Sequence, residues 1–287
     1  MAGGAIIAGL IAHKVVSDHE LNAGRQTLLA KQRAVVATLG AEWLPLRDNL
    51  EGDVLRSAAT PPSDYASDDV QPEARTLAFR SQPGLYLRMR LADAGSAETV
   101  RKVAVDAKRD AFAACLLREP NERAARGDVD AGAFADQPWN LGQAYAATRI
   151  LTDDWVGAVK DSDDELRLRV FVEQYDKAIR DEIPVAIDVV KRAQFFLLVL
   201  DEDVPEEAAF TDGGLNEEAV QMVEHPARVF LFDLNGNKPI LRLRRSGGGR
   251  FIEAGERQVT DEETRNAMQR QVNNCSLANM VEARLRQ

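Results

Sequence analysis

Near the start of the chain, apolar residues recur at helical intervals. Leu21, Leu28, Val35, Leu39, Trp43, Leu46, Leu50 and Val54 follow one another at spacings of three, four or seven, one stripe of a helix from Ser17 to about Arg56. Pro45 lacks the amide that the helix needs, so a kink or break is expected near Leu44. Two roles fit this 17–56 segment: a stalk that associates with a partner or a second copy as a coiled coil, or a packing helix on the main domain.

Ahead of that helix, residues 1–16 form an apolar segment, uncharged from Ala2 to Ala12. As a helix, the uncharged run extends roughly 16 Å, against the ~30 Å core of a bilayer. A cleaved signal peptide fits poorly, because no basic residue precedes the run and no small-x-small cleavage site follows it. A buried or partner-facing helix suits its shortness. The favoured reading is a truncated membrane anchor with further residues upstream, helped by the small-xxx-small pairs Gly4/Ala8 and Ala5/Gly9. Lys14, Arg25, Lys31 and Arg33 all lie after the run, which favours a cytoplasmic domain; basic residues upstream would reverse that and export it. The expected location is therefore membrane-associated, with orientation open.

Residues 57–83 are rich in Pro, Ser and Asp and read as a linker. The main domain is expected over 84–287. Leu85, Leu87, Met89 and Leu91 alternate with Tyr86, Arg88 and Arg90, the period of a half-buried strand. Ser96 caps an expected helix over 97–117. Two helices follow, one carrying Leu141, Tyr145 and Trp155, the other Leu166, Val170 and Tyr175; Pro184 falls in the first turn of a restarted helix. The run Phe195–Leu200 is apolar without alternation, as in a central strand. Asn235-Gly236 joins two further strands, 228–234 and 238–245, as a tight hairpin. Thr260 and Glu263 form a capping box for a last helix reaching Leu285. The fold class is α+β: a small, mainly antiparallel sheet packed by four to five helices.

The net charge of −10 argues against nucleic acid as a partner, since phosphate binding needs a basic surface. The two cysteines, Cys115 and Cys275, belong to no metal-ligand spacing. In an exported domain they can pair as a disulfide; in a cytosolic one they serve as buried apolar residues. The three histidines are His13, His19 and His225, and none has the i, i+4 partner of a helical metal site; His225 is expected in a loop before Pro226. No nucleophile elbow, phosphate loop or calcium loop is present, so neither a catalytic residue, a cofactor nor a metal is expected.

One constellation stands out. Arg88 and Arg90 lie opposite the apolar positions of their strand, and Arg242 and Arg244 lie opposite Leu241 and Leu243. Together they are expected to form an arginine face for an anionic ligand or acidic partner segment. The leading functional expectation is a membrane-associated, non-enzymatic domain that binds a ligand or protein partner, of sensory or scaffold type. The alternative is a soluble enzyme whose site is assembled from scattered acidic and basic residues.

Overall fold

The computed structural model describes residues 2–60, 69–117, 138–203, 217–250 and 261–287, excluding the side chains of residues 2–18 and 217. The segment expected to anchor the chain, 1–16, thus lies outside the described side chains. Among the described residues, no helix is long and apolar enough to cross a membrane.

The chain divides into two compact units, one comprising 1–47 and 144–188, the other 48–143 and 189–287. In the first, α1 (Ala2–Val35) passes through a π turn at Val36–Gly40 into the start of α2 (Ala41–Ala59). The helix does not break at Leu44. Pro45 cannot donate to the carbonyl of Ala41, and Ala41 is where the π turn hands over to α2, so the missing bond falls at an existing irregularity. Leu21, Leu28, Leu29 and Trp43 are buried in this unit. Trp43 meets Tyr145 of α6 (Leu141–Ala147) edge-on, with ring centroids 6.1 Å apart. Trp155 of α7 (Asp153–Lys160) meets Phe171 of α8 (Glu165–Lys177) in the same manner at 5.9 Å. Through a second π turn, α8 continues into α9 (Ile183–Arg192), with Pro184 at its second position.

The second unit is built on a six-stranded sheet in the order β1-β6-β5-β4-β2-β3. Its strands are β1 (Asp69–Val70), β2 (Gly84–Arg90), β3 (Trp139–Asn140), β4 (Phe195–Asp201), β5 (His225–Asp233) and β6 (Lys238–Gly247). The sheet is mixed: β1–β6, β6–β5 and β5–β4 pair antiparallel, whereas β2 pairs parallel with both β3 and β4. Among the described residues the long connection from β2 to β4 is mainly helical, and crossovers of that length join parallel strands. Within the stretch read as a linker, α2 extends to Ala59, β1 pairs with β6, and Ala74 of α3 (Pro72–Arg75) and Phe79 are buried.

One face of the sheet carries Tyr86, Leu197, Val199, Val229, Leu231, Leu241 and Leu243. These pack with Phe112 and Leu116 of α5 (Ala111–Leu117) and Leu277, Val281 and Leu285 of α11 (Glu262–Leu285). The expected helix over 97–117 is in fact α4 (Ala97–Ala104) and α5, separated where Asp110 takes up the N-cap of α5 by accepting from Phe112 N at 2.9 Å. Ser96 caps α4, accepting from Thr99 N at 3.1 Å. Thr260 lies outside the described residues; α11 is capped by Asp261, which accepts from Thr264 N at 2.8 Å.

Glycines mark close approaches. Gly247 ends β6, where an added Cβ would lie 2.5 Å from Leu277 Cβ. In the β5–β6 turn, Asn237 rather than Gly236 takes the positive φ, at 48°. At Gly84 a Cβ would overlap the ring of Phe195 on the neighbouring strand. Gly84→Ala should therefore destabilise the protein by about 1–3 kcal/mol through overpacking. An unchanged urea midpoint for this variant would contradict the tight β2–β4 contact.

Candidate functional site

Strand register decides where the four arginines go. Arg88 pairs with Val199, Val199 with Val229 and Val229 with Leu243, so Arg88 shares a face with Leu243. Arg242 and Arg244, its neighbours along β6, point to the other face. The expected single arginine surface does not form. Arg88 and Arg90 stand on the α5/α11 side, and Arg242 and Arg244 on the opposite side. The reason is the β2–β4–β5–β6 register, which alternation within each separate strand cannot reveal.

Nor is Arg88 on a wet face; its side chain is 0% exposed. Its Nε and Nη2 donate to the two oxygens of Asp201 at 2.7 and 2.9 Å, a bidentate fork. Nη1 donates to Asp110 Oδ2 at 2.8 Å and to Asn274 Oδ1 at 2.7 Å. Tyr86 Oη donates to Asp110 at 2.9 Å, and its ring stacks on Phe112. His225 is not in a loop but opens β5, where it is buried. Its Nδ1 is 2.9 Å from the Val223 carbonyl oxygen and its Nε2 is 2.9 Å from Asp201 Oδ1. Both partners can only accept, so both bonds form together only when the ring carries two N–H groups.

Burial penalises the Asp201 carboxylate, but the Arg88 charge and the bonds from His225 and Arg88 hold its pKa below the ordinary 3.8. Burial likewise works against the Arg88 charge, and Asp201 with Asp110 outweighs it, raising the guanidinium pKa further. Burial raises the Tyr86 phenol well above its usual value, and Asp110 beside it adds to the shift.

The other arginines are also engaged. Arg90 Nη2 donates to Asp203 Oδ1 at 2.7 Å. Arg244 Nη2 donates to Glu202 Oε2 at 2.7 Å, and Arg228 Nε to Glu202 Oε1 at 2.7 Å. Arg242 lies opposite Asp69 in the β1–β6 pairing. Cys115 and Cys275 form a disulfide between α5 and α11, with Cα atoms 5.3 Å apart.

Asp110 and Asn274 have a second side. Both line a cavity of about 750 Å³ at the carboxyl end of β2, the end of parallel strands where ligand crevices form. Arg90 and Asp93 line it from β2 and the turn after it, Lys102 from α4, and Arg270 from α11. Glu218 of α10 (Glu217–Gln221) lines it as well, taking an ion pair from Lys108 at 3.1 Å and one from Arg270 at 3.7 Å. No side-chain hydrogen bond or ion pair among the described residues engages Asp93, Lys102 or Asp106. The described lining contains only charged, amide and aliphatic side chains. Among the described residues, no group of three or more His, Cys, Asp and Glu is placed to hold a metal ion.

Sequence reasoning singled out Arg88 and Arg90 but missed Tyr86, Asp110, Asp201, His225 and Asn274. A signal was present for one of these: an Asp closing a continuous apolar strand is a buried charge that needs a partner. Comparison of the chain with protein-family models, curated proteins and solved structures finds no match.

Asp201 binds its proton less readily folded than unfolded, so its contribution to stability is complete above the unfolded pKa and lost as pH falls through the folded one. Glu202 has the same sign: burial opposes its charge, but bonds from Arg244 and Arg228 hold its pKa below 4.5. The urea midpoint should therefore fall on acidification from about pH 5 to about pH 2.5; a flat profile there would contradict the assignment. Asp201→Asn, which leaves Arg88 buried and short of a charge partner, should cost about 3–5 kcal/mol in urea unfolding.

Proposed function

We propose that the second unit is a binding domain for a small ligand carrying both a cationic and an anionic group, held in the cavity at the carboxyl end of β2. The supporting observation is the charge balance of the lining. Lys108 and Arg270 share one carboxylate, Glu218, which leaves one positive charge uncompensated. Asp93 and Asp106, with Lys102 as the one cation of the unengaged set, leave one negative charge uncompensated. These groups come from different elements, and a ligand bearing charge of both signs answers both surpluses.

The remaining lining charges are spent within the fold. Arg90 is held by Asp203, Arg109 is engaged as well, and Asp110 is held by Arg88 and the first turn of α5. This supports binding over catalysis, because Asp110 already accepts Arg88, Tyr86 and a backbone amide and serves as a fixed wall. The cavity volume suits a molecule of dipeptide or small-metabolite size.

Thermal unfolding in the presence of free amino acids, dipeptides pairing an acidic with a basic residue, citrate and inorganic phosphate tests the reading. A ligand at a hundredfold excess over its Kd adds about 2.7 kcal/mol, raising the melting temperature by roughly 5–10 °C for a domain of this size. The shift should come from the doubly charged probes and shrink strongly in Lys102→Ala and Arg270→Ala. A larger shift from citrate or phosphate alone, or full shifts retained in both variants, would overturn it.

A further inference from the structure

We infer that the Cys115–Cys275 disulfide is a redox-responsive tie between two walls of the cavity, and that opening it frees α5 while the sheet stays folded. Asp110 and Ala111 line the cavity at the start of α5, and Cys115 follows one turn later. Across from them Asn274 lines the cavity from α11, and Cys275 is the next residue. The bridge therefore joins the element that presents Asp110 to the element that presents Asn274.

The seven residues of α5 are too few for a helix to persist by its own backbone bonds. Its position rests on three things. Phe112 and Leu116 pack in the core cluster, Asp110 is held by Arg88 and Tyr86, and the disulfide joins it to α11. The bridge spans 160 residues of sequence, so it constrains the chain far more than a local contact does. Both cysteines are half-buried rather than sealed. Cys275 also lines a shallow groove of about 630 Å³ together with Gly248, Ser276 and Met280, which gives a reductant an approach from outside.

The reductant is a dithiol. One of its thiolates attacks a sulfur of the bridge, the S–S bond breaks, and a mixed disulfide forms as the other cysteine leaves as thiolate. The second thiol of the reductant then closes its own disulfide and displaces the remaining cysteine. Two electrons pass to the protein, and the two protons of the dithiol end on Cys115 and Cys275. With both thiols free, α5 is retained only by its core contacts and the Asp110 cluster, and the Asp110 wall of the cavity is joined to the Asn274 wall only through packing and their shared bonds to Arg88. The consequence for ligand affinity rests on the binding reading above; the tie itself does not.

Amide hydrogen exchange on the full chain, oxidised and then reduced with millimolar dithiothreitol, tests it without any ligand. In the reduced protein, the amides of Phe112 and Leu116 should exchange about tenfold faster or more, while those of Leu197, Val199, Val229 and Leu231 keep their rates. Reoxidation should restore the original pattern, and the double variant Cys115→Ser/Cys275→Ser should show the reduced pattern without reductant. The inference is overturned if α5 is unchanged after alkylation confirms two free thiols, if sheet amides accelerate equally, or if folded protein resists reduction. A failed ligand screen would sink the binding reading and leave this comparison untouched.

Discussion

A guanidinium taken wholly out of water is tolerated only when every strong donor finds an acceptor and its charge is matched, and Arg88 imposes that requirement on the second unit. Desolvating one such ion costs several kcal/mol. Here it is offset by a fork to Asp201, a bond to Asp110 and a bond to Asn274. Each partner fixes an element. Asp201 fixes β4 beside β2 in parallel register, Asp110 fixes the start of α5, and Asn274 fixes the rotation of α11 over the sheet. His225 extends the cluster to β5. The charges thus specify which elements meet, while the surrounding Leu, Val and Phe residues supply the apolar burial.

The same cluster shapes the cavity from behind. Asp110 and Asn274 turn part of their surface toward Arg88 and part toward the open space, so the inner wall is held by buried hydrogen bonds. The outer lining is different. Lys102, Asp106 and Lys108 are exposed, and the ion pairs there are of the weak surface kind. A hydrogen-bonded inner wall with a solvent-exposed, charge-bearing mouth is the arrangement on which the proposed binding of a polar molecule rests.

What could be read from the chain was whatever depends on local period. The strands at Gly84–Arg90 and Phe195–Asp201 and the hairpin strands were legible from alternation and apolar runs. So were the Ser96 cap and the restart of the helix at Pro184. The break between α4 and α5 was not, because Ala, Val and Phe keep a helical period through it and only the Asp110 cap interrupts the chain. The arginine face failed for a related reason. Alternation assigns a residue to one of two faces of its own strand, but strand pairing decides whether two such faces coincide. Arg88 looked solvent-facing because it is charged; its partners, Asp110, Asp201 and Asn274, lie 22, 113 and 186 residues away, beyond any local pattern.

The most direct test of the dependence on Arg88 is a double-mutant cycle with Arg88→Met and Asp201→Asn, each variant followed by urea unfolding. If the two side chains act as one buried unit, the single variants are each strongly destabilised. The double variant should then be more stable than the sum of the two losses predicts by at least about 1.5 kcal/mol. Losses that add to within about 0.5 kcal/mol would mean that the two residues contribute independently, and that the fold does not hinge on their pairing.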